Sequence, residues 1–525
     1  MPTSNIPRSL GLLSVVALAL SACGSDHGDS GELISGGTFT AAVSEEVGSI
    51  IPMSAIQPSE RQIVNYAYDS LIYADSDGKF EPWLAESWEI DGRTAVFHLE
   101  EGITCADGAA FDAETAAENI NFHADPENES LHHGSRIANG VKATGKGLQL
   151  EVTAPSADPF LVENTGLVEM VCSAGLEDPK SLEQSSNGTG LFTLVDVRPD
   201  EYVFEKRDDY TWGPDGMTAD TEGVPDRLEI RVITDESTRA NLLLSGELNG
   251  ARVSGADRER VEATGLEYTT TVNPVGQMLF NERDDRPTHD PLVREALALA
   301  FDHDEAAQVI TDGNPVEFNS VVTKSPFLCV PEDAPPWTIP SSDPARAADL
   351  LDKAGWELGS DGVRHKDGKA LELTFIHDAT SPTHAAAAEL IREMWAKVGI
   401  RTELRANDSA AWSESLYETY DWDTGWVQTN AGTPALLNNF FNGRTPDDGG
   451  VNFMFVDNPD YTKLVEQAMQ APPEATCDYW QQAERALVER YDVFPLTNNE
   501  RPTFMSGALF EETDYVEPTS IRITE

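Results

Sequence analysis

Residues 371–406 constrain the fold more than any other stretch of the chain. "LELTFIH" alternates apolar and polar side chains, the two-residue period of a strand. "THAAAAELIREMWAKVG" then places Ala386, Leu390, Met394 and Val398 at helical spacing, and "IRTEL" alternates again. A strand, a long helix and a second strand predict a parallel pair with a right-handed crossover, because no tight turn can join strands running the same way. Such a crossover needs a sheet with helices packed on it, which commits this region to α/β architecture.

The same grammar recurs elsewhere. "GGTFTAAV" (36–43) reads as a first strand, and "TAVFHL" (94–99) alternates Ala95, Phe97 and Leu99. Asp112 is placed to cap a helix beginning "AETAAENINF", and Asp235 to cap "ESTRANLLL". Stretches 191–197 and 201–206 flank "RPD" as a hairpin, and "RLEIRVI" alternates Leu228, Ile230 and Val232. "DPLVREALALAF" and "DPARAADLLDKAG" both put Asp before Pro at the first helical position, and the second ends on Gly355. At 525 residues the chain exceeds what one hydrophobic core can organise, so two or three domains are expected.

Charge narrows the partners. Thirty-six basic residues against 91 acidic ones give a net charge of −55, which repels nucleic acid and anionic lipid headgroups. An acidic shell suits a saline medium, where counterions screen self-repulsion; steering of a cationic ligand is the alternative, and the even spread of the acids argues against it.

The N-terminus reads as an export signal. Arg8 precedes an apolar run over 10–20, too short to span a bilayer, and "LSAC" ends on Cys23. Residues 1–22 therefore resemble a lipoprotein signal peptide, with Cys23 as the lipid attachment point and 23–35 as a flexible polar tether. This predicts an extracytoplasmic protein anchored to the outer face of the cell membrane. Cys105, Cys172, Cys329 and Cys477 remain as disulfide candidates; of the three possible pairings, loop closure favours Cys105–Cys172 and Cys329–Cys477.

Catalytic signatures are missing. The sequence has no G-x-S-x-G, no Walker loop and no H-E-x-x-H, so no enzyme, cofactor or metal site is predicted. His132–His133 reads as a surface loop pair.

Several stretches, in order, resemble the extracellular solute-binding proteins of family 5, the peptide, nickel and related receptors of ABC importers. They are "EPWLAESWEIDGRTAVFHLEEGITCADGAAFDAETAAENINF" (81–122), "GTGLFTLVDVRPDEYVFEKRDDYTWG" (188–213), "DRLEIRVITDESTRANLLLSGEL" (226–248), "FNERDDRPTHDPLVREALALAFDHDEA" (280–306) and "YDVFPLTN" (491–498). The resemblance implies a two-lobed periplasmic-binding-protein-like α/β fold of type II, joined by a two-strand hinge. Lobe one would comprise 36–65, 186–278 and 492–525, with an extra subdomain at 66–185; lobe two would be 279–491. The hinge would lie near Met278–Asn281 and Val493–Leu496. A monomer that closes on its solute and presents it to membrane permease subunits is the implied mechanism.

The resemblance also implies ligand-wall residues: Ser44, Glu45 and Glu46 after the first strand, Leu279 and Asn281 on the crossing strand, and Trp412, Trp426, Gln428, Thr429 and Asn430 on lobe two. In the family's peptide receptors an Asp three residues after the equivalent of Trp426 meets the peptide's amino terminus; here that position is Thr429. Asp408, Asp421 and Asp423 are the nearby acids available to replace it. A di- or oligopeptide is the expected solute. An oligosaccharide or other organic solute is the alternative, a nickel chelate is disfavoured because no His adjoins the wall segments, and a surface hydrolase or non-transport lipoprotein is the reading from another class.

Overall fold

The computed structural model describes residues 31–55, 57–75, 78–134, 136–323, 328–330, 340–429 and 431–525. The signal peptide, Cys23 and most of the expected tether lie outside them, as does Asn430.

Two sheets organise two lobes. The larger has eight strands: Tyr268–Pro274, Asn498–Met505, Gly250–Arg252, Thr38–Val43, Arg227–Val232, Glu201–Lys206 and Phe192–Arg198 lie side by side, and Pro315–Val316 adds to Asn498–Met505. The first strand runs parallel to Arg227–Val232 and to Gly250–Arg252. Its burial alternates less than its sequence, because helices and the C-terminal segment cover it; Phe39 is fully buried against Phe510. A four-stranded antiparallel sheet, Ala85–Asp91, Thr94–Leu99, Gln149–Thr153 and Lys142–Lys146, with the helix Ala113–Ala124, makes the extra subdomain. Asp112 caps that helix by accepting from the backbone N–H groups of Glu114 and Thr115.

The second lobe carries a five-stranded sheet in the order Arg401–Asn407, Glu372–Asp378, Thr424–Trp426, Gln277–Phe280 and Val493–Pro495. Glu372–Asp378 and Arg401–Asn407 pair in parallel, joined by the helix Pro382–Lys397 as the 371–406 pattern requires. The buried face of that helix differs from expectation. Ala387, Ala388, Ile391 and Trp395 pack inward, while Ala386 is exposed and Leu390 and Met394 are half-buried. Trp395 sets the rotation: its indole fits against Phe375, and Nε1 donates to the Leu297 carbonyl at 3.0 Å.

Two antiparallel strands cross between the lobes. Tyr268–Pro274 belongs to the first sheet and Gln277–Phe280 to the second; the return runs from Val493–Pro495 to Asn498–Met505. Val275–Gly276 and Leu496–Thr497 are therefore the crossing points. Gln277, Met278 and Val493–Pro495 all pair within lobe two, so the outward crossing falls just before the expected Met278–Asn281, while the return crossing overlaps the expected Val493–Leu496 at Leu496. Pro315–Val316, expected in lobe two, pairs with the sheet of lobe one. Disulfides join Cys105 to Cys172 within the extra subdomain and Cys329 to Cys477 within lobe two.

Candidate functional site

A cleft of about 1070 Å³ opens between the lobes. Lobe one supplies Ser44 and Glu45 from the end of the first strand, Arg239 and Arg252–Ser254, and Asn499–Pro502 from the return strand. The extra subdomain adds His132 and Arg136. Lobe two supplies Asp378 and Thr380–His384, at the start of the crossover helix, and Gln428. Strand ends and a helix start converge here because the crossing strands end both sheets at the same gap.

Of the nine expected ligand-wall residues that are described, three line this cleft: Ser44, Glu45 and Gln428. The other six do different work. Trp426 is fully buried in the core of lobe two, edge-on to Phe375 at 5.5 Å, and Trp422 is equally buried on the opposite side of the sheet. Leu279 is core. Asn281 is buried as a brace, its Nδ2 donating to the carbonyls of Tyr420 and Trp422. Thr429 donates from both its N–H and Oγ1 to Gln277 Oε1 beside the crossing point. Trp412 packs half-buried against the core of lobe two, and Glu46 faces solvent. The nearby acids do not replace the absent Asp. Asp408 caps a helix, Asp421 pairs with Arg286 and Arg405, and Asp423 accepts from the Thr374 N–H at 2.7 Å.

The histidines require correction as well. His132 is buried rather than a surface residue, with its ring 4.9 Å from that of His123 and its Nε2 3.6 Å from Glu169. It reaches the cleft, and so does His384 from lobe two. Burial lowers the pKa of both, His384 to about 4, so both rings are neutral at pH 7. His384 Nδ1 has no hydrogen-bond partner. Among the described residues no group of three acidic, His or Cys side chains is arranged to hold a metal ion.

Sequence reading missed the arginines. Arg136, Arg239, Arg252 and Arg501 all line the cleft of a protein whose net charge is −55. Nothing in their local sequence marks them, since each sits in an unremarkable loop, helix or strand and only the fold brings them together. Arg239 donates to the carbonyls of Ile233, Thr234 and Arg252, and Arg252 pairs with Glu512 at 2.6 Å.

The two-lobed frame, the crossing strands and the interlobe cleft agree with comparison to known proteins. The model of the bacterial extracellular solute-binding proteins, family 5, matches residues 79–449. The chain belongs to this family. Among relatives, the nickel-binding periplasmic protein of Escherichia coli K12 is 27% identical over 392 residues, covering 71% of this chain and 72% of that protein. The dipeptide-binding protein of the same strain is 25% identical over 462 residues, 79% of each chain. The structure of the oligopeptide-binding protein AppA from Bacillus subtilis with a nonapeptide superposes with a TM-score of 0.74 at 17% identity, over 94% of this chain and all of that one. As a family 5 member, the protein is an extracytoplasmic solute-binding protein with the two-lobed α/β fold.

Proposed function

We propose that the protein is the receptor of an ABC importer, held at the outer face of the membrane by lipid on Cys23, and that it captures a short peptide between its lobes. The observation that carries the solute class is the mixed charge of the cleft wall. Glu45 and Asp378 face it together with Arg136 and Arg501, so it offers counterparts to both an ammonium and a carboxylate. A dipeptide-binding relative aligned over 79% of the chain supports the same reading. Closure would bring Gln428 and His384 of lobe two onto a solute seated on lobe one, and the closed form is what a permease would distinguish. Mass spectrometry of solute released by denaturing the purified protein tests this reading. Retained peptides support it, and a sugar or another uncharged solute overturns it.

One observation favours a second reading. His132 and His384 enter the cleft from opposite lobes as neutral rings, the form that ligates metal, and a nickel-binding relative is 27% identical. A metal chelate as solute would then appear as stoichiometric metal in the same released material.

A further inference from the structure

The floor of the cleft on lobe one holds two opposite charges that do not pair with each other. Arg501 lies on the return strand Asn498–Met505, opposite Thr271 of the outgoing strand. Among the described residues its guanidinium has no ion pair and no hydrogen bond, and it lines the cleft. Burial pushes its pKa down to about 10, and the neighbouring Arg252 guanidinium adds to the effect. The adjacent carboxylate cannot help: Glu512 Oε1 accepts from Arg252 at 2.6 Å and Oε2 accepts from Thr269 Oγ1 at 2.9 Å.

Glu45 is the carboxylate whose charge most favours protonated Arg501. It also lines the cleft, and its Oε2 is shielded from solvent without a hydrogen-bond partner. Arg239, the other cation within its reach, directs its donors to backbone carbonyls. A half-buried guanidinium without an anion and a shielded carboxylate oxygen without a donor each lower stability. A solute carrying both an ammonium and a carboxylate relieves both at once.

We propose that Glu45 and Arg501 hold the charged ends of a zwitterionic solute of the amino-acid or short-peptide class, with the ammonium on Glu45 and the carboxylate on Arg501. This rests on the reading of the cleft as a peptide site, and it moves recognition of the amino terminus from the lobe-two position of Thr429 to lobe one. Thr429 is turned into the core toward Gln277, whereas Glu45 faces the gap.

Calorimetric titration of the purified full-length protein with trialanine, trialanine amide and N-acetyl-trialanine tests the assignment. Each blocked form should bind the wild type about 30-fold more weakly, the loss expected for one charge-assisted contact. Arg501→Gln should erase the preference for acid over amide, Glu45→Gln the preference for free over acetylated amine, and Arg501→Lys should restore part of the first. Either preference surviving its own substitution overturns the proposal. Matched melting curves of the apo variants, with Arg501→Gln no less stable than wild type, separate lost binding from lost folding. If the wild type ignores trialanine and alanine but succinate raises its Tm, and Arg501→Gln removes that rise, the peptide reading and the zwitterion fail while Arg501 remains an anion seat. No response to any of these probes overturns both.

Discussion

Gly276 and Thr497 face each other where the two strands cross between the lobes: Gly276 N–H donates to the Thr497 carbonyl at 2.9 Å, and the neighbouring Leu496 N–H returns a bond to the Gly276 carbonyl at 2.8 Å. The ladder of the first sheet thereby continues into the second without a break. A Cβ on Gly276 would stand 2.8 Å from Thr497 Cγ2 and 2.9 Å from its backbone nitrogen, and rotating a side chain relieves only the first contact. Gly276→Ala must therefore push the crossing strands apart. The expected loss is about 1–3 kcal/mol of stability, with a smaller ligand-induced decrease in radius of gyration by small-angle scattering. Unchanged melting and full compaction would show that the crossing tolerates the methyl group.

Thr429 gives a second prediction. Restoring the family's acid by Thr429→Asp would set a carboxylate against Gln277 Oε1 in a site that is 1% exposed. Loss of about 3 kcal/mol in urea unfolding is expected, with no gain in peptide affinity. A stable variant with tighter peptide binding would contradict this placement of the side chain.

Glu484 ties stability to pH. It is buried beneath Ser320 Oγ and the Val321 N–H, each donating to its Oε2 at 2.8 Å, and burial raises its pKa to about 7. In the folded state it keeps a proton that the unfolded chain has already lost, so its contribution falls as pH rises from about 4.5 to about 7 and stays low above that. Glu484→Gln keeps an acceptor oxygen and removes the charge. Urea unfolding at pH 5 should show little difference from wild type, whereas at pH 8 the variant should be more stable, on the order of 1–3 kcal/mol.

The Cys329–Cys477 bond spans 148 residues of sequence and ties the segment around Cys329 to the helix Pro473–Glu489. Replacing both cysteines by Ser should lower stability by roughly 2–4 kcal/mol, chiefly by freeing the unfolded chain. Equal midpoints for the variant and wild type under oxidising conditions would count against that bond.

Much of the framework was legible because it is local. The strand read at 371–377, the caps at Asp112, Asp235, Asp290 and Asp343, and the hairpin around "RPD" are each encoded within a few residues, and each forms, the strand as Glu372–Asp378. Resemblance located the two lobes and the return crossing at Leu496, yet it set the outward crossing a few residues after the point where sheet pairing puts it. It also assigned to the wall Trp426, Leu279 and Asn281, which pairing in the central strands turns into core and brace.

Sequence alone determined the elements, because short-range periodicity and capping are written in neighbouring residues, while the two-lobe plan and the family came from resemblance to known blocks in order along the chain. Only the tertiary structure decided what assembles around the cleft. Resemblance placed Glu45 on the wall, but Arg501, 456 positions away, carries no local mark. Both line one cleft because the first strand and the return strand lie in one sheet, separated only by Gly250–Arg252, and both reach the same gap. A half-buried, unpaired guanidinium is a property of that assembled surface, so no local pattern can announce it.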